Sequence, residues 1–178
     1  MHKFKNILVI ASHPDDEILF GGNELITHNG EYKVVCIDYG DDPIRSKEFK
    51  KVMELAGVIE YEHLYGYKGG EDYIRRHLLD YMRKLLIYEK DWKKIVTHNE
   101  VGEYKHPRHI ALHDIVVGIL RGYGFDREWN LWVFGKGKIS LSEKQVKEKQ
   151  KLLDIYKSQQ VVLNWFSPRY EKLVKFDL

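Results

Sequence analysis

The sequence predicts an α/β sandwich built on a mainly parallel sheet. Three observations point there. Ile7 to Ala11 is a continuous apolar run, the pattern of a strand buried on both faces. Further β-rich runs then alternate with segments of helical apolar spacing. Two of the strand candidates also run straight into clusters of histidines and acids. Open α/β sheets place their ligands at such carboxyl ends of strands.

After the first strand, His13-Pro14-Asp15-Asp16-Glu17 reads as a helix start, since acids favour the positive end of a helix. A helix over Glu17–Asn29 should end at Gly30, and Gly21 with Gly22 inside it marks close packing against a neighbour. Lys33–Tyr39 is the second strand, Gly40–Pro43 a loop, and Arg45–Ala56 an amphipathic helix closed by Gly57. Glu62–Tyr67 is a short strand candidate, and Asp72–Tyr88 a helix on the spacing of Leu78, Leu79, Met82, Leu85 and Leu86. Lys94–Thr97 is the fourth strand. Pro107 suits the first position of a helix reaching about Gly122. Leu131–Phe134 is a fifth strand, Gly135-Lys136-Gly137-Lys138 a turn and Ser142–Ser158 a charged helix. Val161–Leu178 has no assignable pattern.

The chain has 178 residues, enough for a single domain over 1–178 with a sizeable core. A net charge of +2 with scattered Lys and Arg argues against a nucleic-acid partner. The lone Cys36 excludes an internal disulfide and suits a buried thiol in a reducing compartment. Met1–Lys5 is basic, but the apolar run behind it is too short for a secretory signal or a membrane span, so a cytoplasmic protein is expected. Gly-x-Gly-x-x-Gly, the P-loop pattern and the Gly-x-Ser-x-Gly elbow are all missing. A nucleotide cofactor and a serine nucleophile are therefore disfavoured.

What remains is metal chemistry. His13 and Asp16 are three apart, near enough in a first helical turn to share one ion, while Asp15 points elsewhere and can address water. Four of the nine histidines fall between His98 and Asp114, behind the fourth strand. A catalytic zinc takes three protein ligands and leaves a position open. His13, Asp16 and His109 meet that count, with His106 reserved for the substrate side. His98 lies at the strand end. His113, set in an apolar helical stripe, is structural. His2, His28, His63 and His77 are expected at the surface or satisfied in the core. Trp129, Trp132, Trp165 and Phe166 are expected in the core more than against a sugar.

Ser12-His13-Pro14-Asp15-Asp16-Glu17 and Tyr104-Lys105-His106-Pro107-Arg108-His109 together resemble the motifs of the PIG-L (LmbE-like) N-deacetylases. Arg45-x-x-Glu48 before Leu55-Ala56-Gly57, and Lys149 before Tyr156-Lys157-Ser158-Gln159, are similar to two further elements of that family. The resemblance implies a Rossmann-like three-layer sandwich in which His13, Asp16 and His109 hold Zn2+. It implies Asp15 as general base, His106 and Tyr104 at the transition state, and Arg45 on the substrate. The implied reaction is hydrolysis of the acetamide of an N-acetylglucosaminyl-type small molecule. Rival readings are a metal-dependent phosphoesterase and a non-catalytic metal-binding module.

Two departures from the family pattern stand out. The chain is short, so loops shaping the substrate pocket are expected to be reduced. Arg108 replaces the acid that usually precedes the last histidine. Its charge should lower the His106 pKa. It should also either attract a phosphate or carboxylate on the substrate, or point outward and pair with Glu103 or another surface acid.

Overall fold

The structure is a computed structural model and describes residues 6–28, 30–65, 71–89, 91–123 and 129–178. Met1–Lys5, the expected helix end at Asn29 and the expected strand end at Tyr67 lie outside them. Six strands form one sheet: β1 (Ile7–Ala11), β2 (Tyr32–Cys36), β3 (Glu60–His63), β4 (Lys94–Thr97), β5 (Leu131–Ser140) and β6 (Tyr170–Lys175). Their order is β3-β2-β1-β4-β5-β6. Every pairing is parallel except β5 with β6.

The chain steps outward from β1 to β3, then returns to the other side of β1 as β4. A fixed crossover hand puts the connecting helices of the two halves on opposite faces. The core divides accordingly. On one face Val9, Val34, Cys36 and Val96 pack against α1 (Asp16–Thr27), α2 (Pro43–Ala56) and α6 (Glu143–Leu153). On the other, Leu8, Ile10, Val35, Ile95 and Leu131 pack against α3 (Glu71–Arg83), the π turn Lys84–Glu89 and α5 (Pro107–Tyr123). Fully burying each Val, Leu or Ile among these contributes about 1.5–3 kcal/mol. Alternate residues of β1 and β2 serve opposite faces, which is why β1 reads as an unbroken apolar run and β2 is apolar but for Lys33.

Local signals set the helix ends. Asp42 caps α2 by accepting the N–H groups of Ile44 and Arg45, and Gly57 closes it in the left-handed region at φ 76°. Ser142 and Gln145 form a reciprocal capping box at α6.

The two α1 glycines do mark close packing. A Cβ on Gly21 would lie 3.2 Å from Phe134, and one on Gly22 would lie 3.0 Å from Ile18 and 3.4 Å from Lys149. Gly21 also leaves the helical region (φ −141°), so α1 is kinked there.

Three expectations change. Ser142–Ser158 is not one helix: α6 stops at Leu153, and a 3₁₀ turn (Lys157–Gln159) and short α7 (Gln160–Leu163) follow. Gly135–Lys138 is not a turn but part of β5, at a register shift between Phe134 and Ile139. Glycine reads as a breaker, yet here it admits a close approach, since a Cβ on Gly135 would stand 2.5 Å from Val174. The unassigned tail supplies β6. Trp165 is 68% exposed and not core, whereas Trp129, Trp132 and Phe166 pack partly buried against it. Among the described residues, no helix is long and apolar enough to cross a membrane.

Candidate metal centre

The strand order reverses between β1 and β4, and open α/β sheets bind ligands at that crevice beyond the strand ends. β1 delivers Ser12 to Glu17 there. β4 delivers His98, the short turn α4 (Gly102–Lys105) and the start of α5. His106 has extended backbone and its carbonyl accepts the Ile110 N–H, so it stands at the α5 N-cap as the sequence predicts.

Three atoms converge. His13 Nδ1 lies 3.1 Å from Asp16 Oδ2, His109 Nε2 lies 3.2 Å from the same oxygen, and the two ring nitrogens are 3.2 Å apart. Ligands about 2.0–2.1 Å from a tetrahedral zinc stand about 3.3 Å from one another, so this triangle is close to one face of such a tetrahedron. Glu103 accepts the His109 Nδ1–H at 2.6 Å, which leaves Nε2 as the free lone pair.

The electrostatics agree. Burial alone would raise Asp16, but the charge and hydrogen bond of His109, and then the hydrogen bond of His13, hold it well below the usual carboxylate range. Burial opposes charge on His109, yet Asp16 and Glu103 raise its pKa to about 9. A ring nitrogen drawn toward a carboxylate this strongly marks a place that favours a cation. The donor set fits a metal.

His98 also belongs to a potential metal group with Asp16 and His109. Its lone pair is already committed, because Nε2 accepts the Ser12 N–H at 3.0 Å and Nδ1 donates to Glu103 at 2.8 Å. Its ring stacks on His109, with centroids 3.8 Å apart. His98 is therefore a wall of the site that sequence reasoning left at a strand end without a function. His113 is buried and bonds the His98 carbonyl at 2.9 Å, a structural part as expected.

Asp15 is buried beside this triangle, with its backbone in the left-handed region at φ 133°. For a non-glycine residue that conformation costs about 1–3 kcal/mol. Glu17 holds it by accepting the Asp15 N–H at 3.1 Å, and Tyr156 donates its hydroxyl to the other Glu17 oxygen. Burial, then the charges of Asp16 and Glu17, push the Asp15 pKa well up. Burial also raises Glu17 to about 7.

On the open side, the His106 ring lies 4.7 Å from His13 and 4.5 Å from His109, and its buried Nδ1 has no hydrogen-bond partner. Tyr104 packs against both His106 and His109, at 5.5 and 5.3 Å, and against Phe166 at 5.3 Å.

The arginines meet over Tyr39, whose ring is 5.9 Å from His13. Arg45 stacks on it at 3.8 Å, and the Arg108 guanidinium centre lies 5.9 Å from its centroid. Arg108 reaches a buried acid. Its Nη1 lies 2.5 Å from Oδ2 of Asp38, which is 1% exposed. The His106 pKa is low, about 4, as expected, but the cause differs: burial comes first, then the charges of His13 and His109. Arg108 turns its guanidinium toward Asp38 instead. Neither Asp38 nor Tyr39 drew attention in the sequence, which places both inside the second strand, whereas β2 stops at Cys36.

Fold and site thus define an α/β protein with a histidine–carboxylate centre at its switch point. The PIG-L model, described as GlcNAc-PI de-N-acetylase, matches residues 8–120, and the chain belongs to this family. An uncharacterized protein, L374 of Acanthamoeba polyphaga mimivirus, is 32% identical over 130 residues, which cover 63% of this chain and 56% of that protein. The chain thus matches little more than half of that relative's length.

Two solved structures share the fold. A deacetylase of the teicoplanin biosynthesis pathway has a TM-score of 0.66 at 19% identity, covering 89% of this chain and 86% of its own. The N,N'-diacetylchitobiose deacetylase of Pyrococcus horikoshii has a TM-score of 0.63 at 17% identity, covering 97% and 84%.

Proposed function

We propose that this protein is a zinc-dependent N-deacetylase that hydrolyses the acetamide of an N-acetylglucosaminyl-type small molecule. The observation that carries the reading is the triangle of His13 Nδ1, Asp16 Oδ2 and His109 Nε2, with edges of 3.1–3.2 Å, in a chain of the PIG-L family. Deacetylases among the solved structures of the same fold support it. His13, Asp16 and His109 would hold the ion, and two imidazoles with one carboxylate suit zinc. The ion would supply Lewis acidity toward water and toward the acyl oxygen.

The remaining steps fall to side chains. Asp15 takes the proton of the attacking water, and its raised pKa suits a base that must later give the proton back. As the carbonyl carbon becomes tetrahedral, its oxygen gains charge and accepts hydrogen bonds from Tyr104 and from His106, a neutral ring with an uncommitted buried nitrogen. The C–N bond then breaks, and the amine leaves with the proton that Asp15 took up. Arg45, stacked on Tyr39, binds the substrate's polar substituents.

The test combines metal analysis with amine release from a panel of N-acetyl amino sugars, with phosphate esters as comparison. About one zinc per chain and acetate released in step with amine are expected. Turnover of phosphate esters without amine release would overturn the reading.

A further inference from the structure

We infer that Asp38, paired with Arg108, is a positioning residue for His13: it receives the outer N–H of that ring and so aims Nδ1 at the ion. The inference rests on the metal reading above and deepens it.

The nitrogen of His13 that enters the triangle with Asp16 and His109 is Nδ1. When Nδ1 gives its lone pair to a metal, the ring's proton sits on Nε2, and whatever accepts that proton fixes both tautomer and ring orientation. The acid facing Nε2 is Asp38, whose Oδ2 is 3.9 Å away. A small turn of the carboxylate, or one bridging water, closes that gap.

Asp38 is held in register with the His13 turn. Its N–H donates to the Ser12 carbonyl at 2.9 Å, and the Ile37 N–H donates to Ala11 at 3.0 Å. It has capacity to spare, because Oδ1 is buried without a hydrogen-bond partner. A carboxylate this buried is unstable unless a cation compensates it. Arg108 does so from the first turn of α5, and its carbonyl accepts the Ser12 hydroxyl at 3.4 Å. The pair therefore ties the two halves of the crevice together beside a metal-facing ring. Neither group touches the reacting atoms.

The experiment is a zinc dissociation constant for the full chain, measured by competition with a chromophoric chelator, for wild type, D38N, D38A and R108A. Loss of such a partner weakens metal binding about 10- to 100-fold, so D38A should fall in that range with D38N and R108A between it and wild type. Long-range ¹H–¹⁵N spectra of the zinc-loaded wild type should show His13 protonated at Nε2. If D38A does not fold, D38N and the spectra still decide. Unchanged zinc affinity in D38N, or a His13 ring protonated at Nδ1, overturns the inference. A wild type that takes up no zinc at all removes the metal reading itself, an outcome distinct from a variant that matches a zinc-binding wild type.

Discussion

Nδ1 of His109 donates to Oε2 of Glu103 across 2.6 Å, and this one contact decides what each residue can do. The same oxygen also receives Nδ1 of His98 at 2.8 Å, and Oε1 accepts the Asn99 N–H at 2.9 Å. With both oxygens committed, Glu103 orients rings and is not placed to take a proton from water. Burial would raise its pKa, but the hydrogen bonds from His109 and His98 pull it below the usual range. Glu103→Ala should therefore weaken zinc binding about 10- to 100-fold. Titration with a competing chelator measures this, and an unaltered constant would mean that His109 needs no such support.

In the proposed mechanism the base is Asp15, buried beside the triangle. Asp15→Asn keeps the side-chain shape but cannot accept a full proton. Amine release should drop by about 10²- to 10⁴-fold, with zinc content and thermal melt close to wild type. Single-turnover assays beside metal analysis test the pair of expectations. A variant that loses its zinc would place Asp15 among the ligands instead.

Much of this was legible in the sequence, for a physical reason. Strands buried on both faces leave apolar runs, so Ile7–Ala11 and Lys94–Thr97 match β1 and β4 at both ends. The eight candidate residues follow strands of the crevice or begin the helices beside them, and the switch point gathers them. What escaped depends on distant packing. Gly135 sits in a strand because Val174 lies against it, a relation between residues far apart in the chain. The kink at Gly21 needs partners from α6 and β6. Asp38 read as part of the second strand, and only the fold brings Arg108, 70 residues away, to it.

Stability in acid should depend on Glu24. Burial favours its neutral form, but the hydrogen bonds of Lys94 and Tyr32, each 2.8 Å from Oε1, outweigh that and lower its pKa. A carboxyl with a lowered folded pKa stabilises the fold fully above its unfolded value, about 4.3, and that contribution is lost as pH falls through the folded value. Glu24→Gln should therefore be less stable than wild type near neutral pH, and the gap should narrow in acid. Urea midpoints from pH 7 down to 3 show the trend. A constant gap over the whole range would exclude the ionised carboxylate as its source.

The kink in α1 is held by groups that close its broken hydrogen bonds. Leaving the helical region at Gly21 interrupts the ladder, so carbonyls before it and N–H groups after it need other partners. Lys149, fully buried, donates to the Leu19 carbonyl at 2.8 Å and to Glu171 at 2.7 Å. Glu171 in turn accepts the N–H groups of Asn23 and Glu24, each at 3.2 Å. One ion pair from α6 and β6 therefore caps both halves of the helix whose first turn carries Asp16. Burial lowers the Lys149 pKa although Glu171 opposes the shift, so the pair is costly to bury and costlier to split. Lys149→Met leaves Glu171 and the Leu19 carbonyl uncompensated, and a loss of about 3–5 kcal/mol is expected. Denaturant unfolding measures it. The double variant with Glu171→Leu removes the stranded charge and should recover part of that loss, and a double variant whose loss equals or exceeds the sum of both single losses would show that the pair does not act as one unit.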